Sequence, residues 1–340
     1  MRIATYRYAG AEHAGVVADG HVFPFGDGLS ARDVVGRGLD ATLELGARTV
    51  AAGNAVPLDR VRLRAPLRPA SVRDFVAFEE HVEGVRRSVD GAGGVVDAWY
   101  DAPTFYFTNP HAILGPDDDV PFPASSVDRD FELEVAAVLG AGGMIVGYTI
   151  FNDWSARDLQ RREMRVNLGP AKGKDFASTL GPWIVTADEF EPYRDADGFL
   201  DLECTASVNG VAVGRDVLSN MGWTFETMVA YAARDSCVVA GDVLASGTVG
   251  NGGCLAELWG RRGTQDPPPL RPGDLVTLTV QGIGSLTNRV TIGPPAPPLP
   301  PVRRRDPAQA RARRAEAEIP VDGGASSRAD AKIVSDAMRV

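Results

Sequence analysis

The stretch FELEVAAVLGAGGMIVGYTIFNDWSARDLQ (131–160) holds two apolar runs, 131–140 and 144–153, parted by Ala-Gly-Gly. Runs of this length, rich in Val, Ile and aromatic residues and bounded by glycine, read as strands that are hairpin partners or sheet neighbours. Alternate side chains of a strand point to opposite faces. Glu132 and Glu134 therefore share one face, while Phe131, Leu133 and Val135 take the other. Two adjacent carboxylates on a half-buried face repel each other and lose hydration, so either that face is solvated or a cation compensates them. Asp153 closes the second run, where it either caps the helix expected over 154–164 or adds a third carboxylate.

Working outward, most of 104–292 reads as strand. FLDLECTASVNGVAV (199–213) alternates around Asn209-Gly210, a hairpin turn signal, and further strands are expected at 237–249, 255–260, 274–282 and 286–293. Helices are expected at 154–164 and 221–235. Upstream, RIATYRY (2–8) and EHAGVVADGHVFPF (12–25), turning at Asp19-Gly20, precede a helix over 31–47 and a connecting strand at 61–67. FVAFEEHVEGVRRSV (75–89) has helical spacing and runs into the glycine-rich DGAGGVV (90–96), a lid over a site or a plain surface connection. Strands with a few helices, rather than alternating βαβ units, make the fold class α+β. The chain divides into a small β-rich N-terminal domain (1–65), a larger strand-rich domain (66–293) and a disordered tail (294–340).

Composition bounds the function. The 340 residues are 44% hydrophobic and 24% charged, which is ordinary globular material. No apolar run approaches the roughly 18 residues that a membrane span needs, and the start lacks a signal-peptide core, so the cytoplasm is the expected address. A net charge of −10 argues against a nucleic-acid partner. The basic exception, VRRRDPAQARARR (302–314), follows a proline-rich run and cannot bury enough apolar surface to order itself, though it could act as a binding arm. Cys204, Cys237 and Cys254 form no metal-ligand spacing and read as buried thiols.

Asp74 ends an apolar-flanked segment and is either a helix cap or a further carboxylate. Of four histidines, His13 and His21 fall in the N-terminal hairpin. His81 lies seven residues after Asp74 among Glu79, Glu80 and Glu83, as a solvated helical residue or a general base. Arg157 and Gln160, three apart on one helix, share a face, and Lys174 follows in GPAKGKDF. They form either a charged surface or a binding group for an anionic intermediate. The oxygen-only donor set points to Mg²⁺, Mn²⁺ or Ca²⁺ rather than Zn²⁺.

DFELE, GYTIFNDWSARD-xx-Q, LGPAKGKDF, and ASGT with a following LAELWG closely resemble the fumarylacetoacetate hydrolase family over roughly 70–293. The resemblance implies a mixed β-roll catalytic domain, a smaller N-terminal domain and a homodimer. It implies metal ligation by Glu132, Glu134, Asp153 and Asp74, and a catalytic His81 oriented by Glu257. It assigns substrate binding and charge stabilisation to Arg157, Gln160 and Lys174, with Thr248 at a substrate-contact position. The implied reaction is metal-dependent hydrolysis of a C–C bond in an acylpyruvate or β-diketo acid, by water that His81 activates. Departures are Val76 and Met164, where fumarylacetoacetases carry tyrosines, and FYFTNP (105–110), which replaces a lysine-containing strand and makes Tyr106 a substitute contact. A metal-dependent decarboxylase or isomerase of an oxo-diacid, and a non-catalytic binding module on the same fold, are the alternatives.

Overall fold

The structure is a computed structural model that describes residues 1–309 except 27, 90, 92 and 307. The strands that build the site are β1 (Arg2–Tyr8), β2 (Ala11–Ala18), β3 (Val72–Phe75), β4 (Phe105–Thr108), β5 (Leu133–Leu139), β6 (Ile145–Asp153), β7 (Ser178–Thr186) and β8 (Val243–Ala245). Three helices matter to it: α1 (Glu79–Val89), α2 (Arg157–Met164) and α3 (Leu255–Arg262). The α+β class and the mixed roll are as expected. A 12-stranded sheet runs in the order Val56–Pro57, His21–Pro24, β2, β1, β7, β6, β5, β8, β3, β4, with two short strands off this path. The β8–β3 pair is parallel and its neighbours along the path are antiparallel. A 5-stranded sheet, built around Glu203–Val208 and Leu275–Val280, packs beside it.

β5 and β6 are antiparallel partners, Glu134 opposite Phe151, and both faces of β5 are buried. Leu133, Val135, Ala137 and Leu139 enter one apolar core, Ala136 and Val138 the other. Burial on two sides explains the near-continuous apolar run, each fully buried aliphatic side chain contributing about 1.5–3 kcal/mol. The turns at Asp19-Gly20 and Asn209-Gly210 both carry positive φ at each residue, as their sequences require.

Five expectations are corrected. Residues 1–65 are not a separate domain: Met1–Ala296 is one compact unit, β1 pairs with β7, and Ile3 and Val16 share a core with Phe151, Leu180 and Ile184. LAELWG is not a strand but the body of α3, because Leu255, Leu258 and Trp259 recur at helical spacing between the Cys254 cap and the left-handed Gly263. The 31–47 helix is two, Ala31–Val35 and Leu39–Ala51, interrupted at Gly36–Gly38. Of 237–249 only β8 is strand, and Cys237 is exposed rather than buried. Smaller shifts put β3 ahead of α1 within 72–89, start α2 at Arg157, and confine the 221–235 helix to Phe225–Ala233. Pro297–Val340 is a second unit, in which 297–306 is exposed without helix or strand. The rest of the expected tail, from 310, lies outside the described residues.

Candidate active site

Sheet register gathers the carboxylates. Asp74 on β3 aligns with Ala245 of β8, which aligns with Ala136 of β5, two residues beyond Glu134 on the same face. Asp153 ends β6, and its N–H donates to the Glu132 carbonyl at 3.2 Å, so the two side chains meet at the mouth of the β5–β6 pair. Asp153 is not a helix cap, since Ala156 holds that position and makes no side-chain cap. Asp74, Glu132, Glu134 and Asp153 are all buried, and each offers an oxygen within 4.8 Å of the others. The solvated-face reading of the glutamates thus fails.

Cations line this cluster. Lys174 Nζ donates to Asp153 Oδ2 at 2.6 Å and also to Glu132 Oε2. Arg157 Nη2 donates to Glu132 Oε1 at 2.6 Å, Nη1 to Gln160 Oε1 at 3.0 Å and Nε to Asp130 Oδ2 at 2.9 Å. Arg157 and Gln160 do share a face, and the guanidinium holds Glu132 and Gln160 in place. Tyr106, opposite Asp74 across β3–β4, donates to Asp153 Oδ2 at 2.5 Å. Gly247 N–H reaches Glu134 Oε2 at 3.1 Å, and Thr248 Oγ1 lies 3.5 Å from Glu134 Oε1. Only glycine serves at 247, where φ is +77° and a Cβ would meet the Phe75 carbonyl oxygen at 2.4 Å.

His81 is buried, not solvated. Its Nε2 stands 4.0 Å from Glu132 Oε1 and its Nδ1 lies 3.7 Å from Cys254 Sγ. Glu257 is buried one helix away, and its Oε1 accepts from Gly252 N–H at 3.3 Å and pairs with Arg261 at 3.3 Å. Among the described residues no hydrogen bond joins Glu257 to His81, so the expected orienting contact is not made here. The helices nevertheless touch closely, because a Cβ on Gly84 would meet Glu257 Cγ at 2.5 Å and one on Gly260 would meet the Gly84 oxygen at 1.9 Å.

Sequence reasoning passed over Asp130 and Cys254. Asp130 accepts from Phe131, Leu255 and Ala256 N–H and pairs with Arg157, tying the start of α3 to the base of the carboxylate cluster. Its place in DFELE was the available signal. Cys254 carried none, since its partner His81 is 173 residues away.

The electrostatics ask for a further cation. Burial, reinforced by the neighbouring carboxylates, pushes Asp74 and Glu134 well above the usual carboxylate range. Asp153 is also raised by burial, against the pull of Lys174. Burial opposes ionisation of Glu132 too, but Arg157 and Lys174 prevail and hold it well below its ordinary value. Burial lowers His81 to about 4, leaving the imidazole neutral at physiological pH. Four carboxylates face two cationic side chains, one of which is shared with Asp130, so at least two positive charges are wanting. Asp153 Oδ1, moreover, is buried with no hydrogen-bond partner. A divalent cation on these oxygens satisfies both the charge and the orphaned atom.

A compact set of buried carboxylate oxygens, with a lysine and a histidine at its rim, is a donor set that could hold a divalent metal. The family model for the fumarylacetoacetate (FAA) hydrolase C-terminal domain matches residues 70–291, and the chain belongs to that family. The fumarylacetoacetase of Arabidopsis thaliana is 26% identical over 309 residues, covering 70% of this chain and 73% of the relative. The crystal structure of 5-carboxymethyl-2-hydroxymuconate delta-isomerase from Mycobacterium smegmatis is similar at a TM-score of 0.60 and 26% identity, over 86% of this chain and 100% of that one. A 2-keto-3-deoxy-D-arabinonate dehydratase, solved with magnesium and 2,5-dioxopentanoate, shares the fold at a TM-score of 0.63 and 23% identity, over 86% of this chain and 99% of that one. Hydrolase, isomerase and dehydratase chemistry thus all occur among similar proteins.

Proposed function

We propose that this protein is a divalent-metal-dependent hydrolase that cleaves a C–C bond in an acylpyruvate or related β-diketo acid. The observation that carries the reading is His81, neutral and buried, with Nε2 directed at the carboxylate cluster 4.0 Å from Glu132. Asp74, Glu132, Glu134 and Asp153 would hold Mg²⁺, with Mn²⁺ or Ca²⁺ as alternatives, and the bound ion supplies Lewis acidity to the oxygens of a chelating dioxo acid.

The residues of the chain then divide the work. His81 Nε2 takes a proton from water as the water oxygen bonds to the carbonyl carbon remote from the carboxylate. The tetrahedral alkoxide collapses, the C–C bond breaks, and its electron pair passes into the enolate of the pyruvate fragment. The imidazolium returns its proton to the enolate carbon. Lys174 keeps a positive charge beside the developing anion, and Gln160, its amide fixed by Arg157, offers a donor. Thr248, which lies against Glu134, and Tyr106, on release from Asp153, would contact the substrate. With Val76 and Met164 in place of tyrosines, the far end of fumarylacetoacetate itself finds no phenol donors there.

One observation favours a second reading, metal-dependent isomerisation or decarboxylation of an oxo-diacid: Glu257 makes no bond to His81. Acylpyruvates, fumarylacetoacetate and oxaloacetate assayed with each metal, in wild type and His81→Ala, separate the two. Hydrolysis in His81→Ala is expected to fall by about 10²–10⁴. Turnover that survives the substitution assigns the protein to the second class, and activity that survives both chelation and Glu132→Ala removes the metal from the reaction.

A further inference from the structure

The loop that leads from α2 to Lys174 offers little packing of its own. Residues 165–169 are exposed, and Val166 and Leu168 leave 69% and 77% of their surfaces in solvent. Glu163, near the end of α2, draws the loop back onto the helix. Its Oε1 accepts from Ala171 N–H at 2.7 Å and Gly173 N–H at 3.0 Å, and its Oε2 from Lys172 N–H at 2.8 Å. Three successive backbone donors on one carboxylate form a charge-assisted nest. An acidic side chain in the last turn of a helix opposes the helix dipole, so α2 itself gains nothing from Glu163. The gain is in the loop. Gly173 lies hard against α2, since a Cβ there would meet Gln160 N and Cβ at 2.8 Å, and its carbonyl accepts from Ala156 N–H at 2.8 Å. Lys174 follows directly, buried, with its ammonium donating to Asp153 and Glu132.

We propose that Glu163 is the positioning residue of Lys174: by clasping the N–H groups of 171–173 it sets where the ammonium stands beside the carboxylate cluster. The proposal rests on the role given to Lys174 in the reaction. Arg157, Gln160 and Glu163 recur every third residue of α2, so one helix fixes Glu132, the amide and the lysine together. The ion pairs of Lys174 are made with two of the carboxylates that a metal would share. The clasp at 171–173 is a hold on Lys174 that does not depend on them.

The sequence has three lysines, Lys172, Lys174 and Lys332, so reductive methylation followed by peptide mass spectrometry reads Lys174 directly. On the full-length protein with Mg²⁺ added, Lys174 should resist labelling in wild type, while exposed Lys172 labels and serves as the reference. Glu163→Ala should raise Lys174 labelling about tenfold or more by letting the loop open locally. It should also lower kcat about 10- to 100-fold while KM stays within about twofold. Glu163→Gln keeps one accepting oxygen but turns an amide against an N–H, and should fall between. Thermal melts check that each variant is folded. Unchanged Lys174 labelling in both variants, or unchanged kcat despite raised labelling, overturns the proposal. If Glu163→Ala does not fold, Glu163→Gln decides by the same two readings. If wild type turns over no oxo acid, the hydrolytic reading falls, and the labelling alone decides whether Glu163 holds the lysine.

Discussion

Glu132 is the residue on which the site turns, because Arg157, Lys174 and His81 all address it. Its removal should strand two buried cations and abolish turnover. A cleaner probe of the metal is Asp153→Asn, which keeps volume and hydrogen bonding but withdraws a charge. Wild type at Mg²⁺ a hundredfold above Kd should gain about 2.7 kcal/mol of stability, and Asp153→Asn should lose most of that gain in a thermal melt. An equal metal-induced shift in the two proteins would refute ligation by Asp153. Asp130→Ala leaves Arg157 buried with a broken pair and frees two N–H groups at the start of α3, so a loss of about 3–5 kcal/mol in urea unfolding is expected. At this scale the carboxylates were legible, because period-two alternation makes neighbours in sequence into neighbours in space. Cys254 was not, because its contact with His81 depends on how two distant helices pack.

Elements repeat that division. The β5–β6 pair follows from two apolar runs of matching length, and the tight turns follow from Asp-Gly and Asn-Gly. The six residues of LAELWG fit a strand by composition and a helix by the spacing of their large apolar groups. Only the cap at Cys254 and the buried packing against α1 decide for the helix. That packing needs glycine. Gly260→Ala would drive a methyl into the Gly84 carbonyl and part α1 from α3, at a cost of about 1–3 kcal/mol. Because α1 carries His81 and α3 carries Glu257, activity should drop more than stability alone explains, which assays well below the melting temperature can reveal. Full activity in a folded Gly260→Ala protein would show that the helix spacing is immaterial to the site.

Over the whole molecule, the boundary read at residue 65 failed for a physical reason. A hairpin with one apolar face looks self-contained in sequence, but that face is buried against β6 and β7, not within its own segment. Deleting 1–65 should therefore give a chain that lacks a cooperative unfolding transition, and a sharp transition in the truncated protein would restore the domain boundary. Stability should also vary with pH through Glu257. Burial raises this carboxyl from 4.5 to about 7, so between those values the folded protein keeps a proton that the unfolded chain has released. The folded state binds more protons there, and stability falls as pH rises through the window, by on the order of 3 kcal/mol. Urea titrations at pH 5 and pH 8 should show a smaller difference for Glu257→Gln than for wild type.

The order of strands also sets when the four carboxylates come together during synthesis. A nascent chain that has emerged as far as β7 already contains all four carboxylates, and the β5–β6 hairpin brings Glu132, Glu134 and Asp153 together. Asp74 joins them only through β8, the strand between β5 and β3, which the ribosome delivers last of the four. A chain stalled before β8 holds an incomplete set of oxygens and binds a divalent cation weakly. Assembly of the four-carboxylate set is thereby tied to completion of the sheet, so a product truncated before β8 would lack the full set of oxygens that a divalent cation could use.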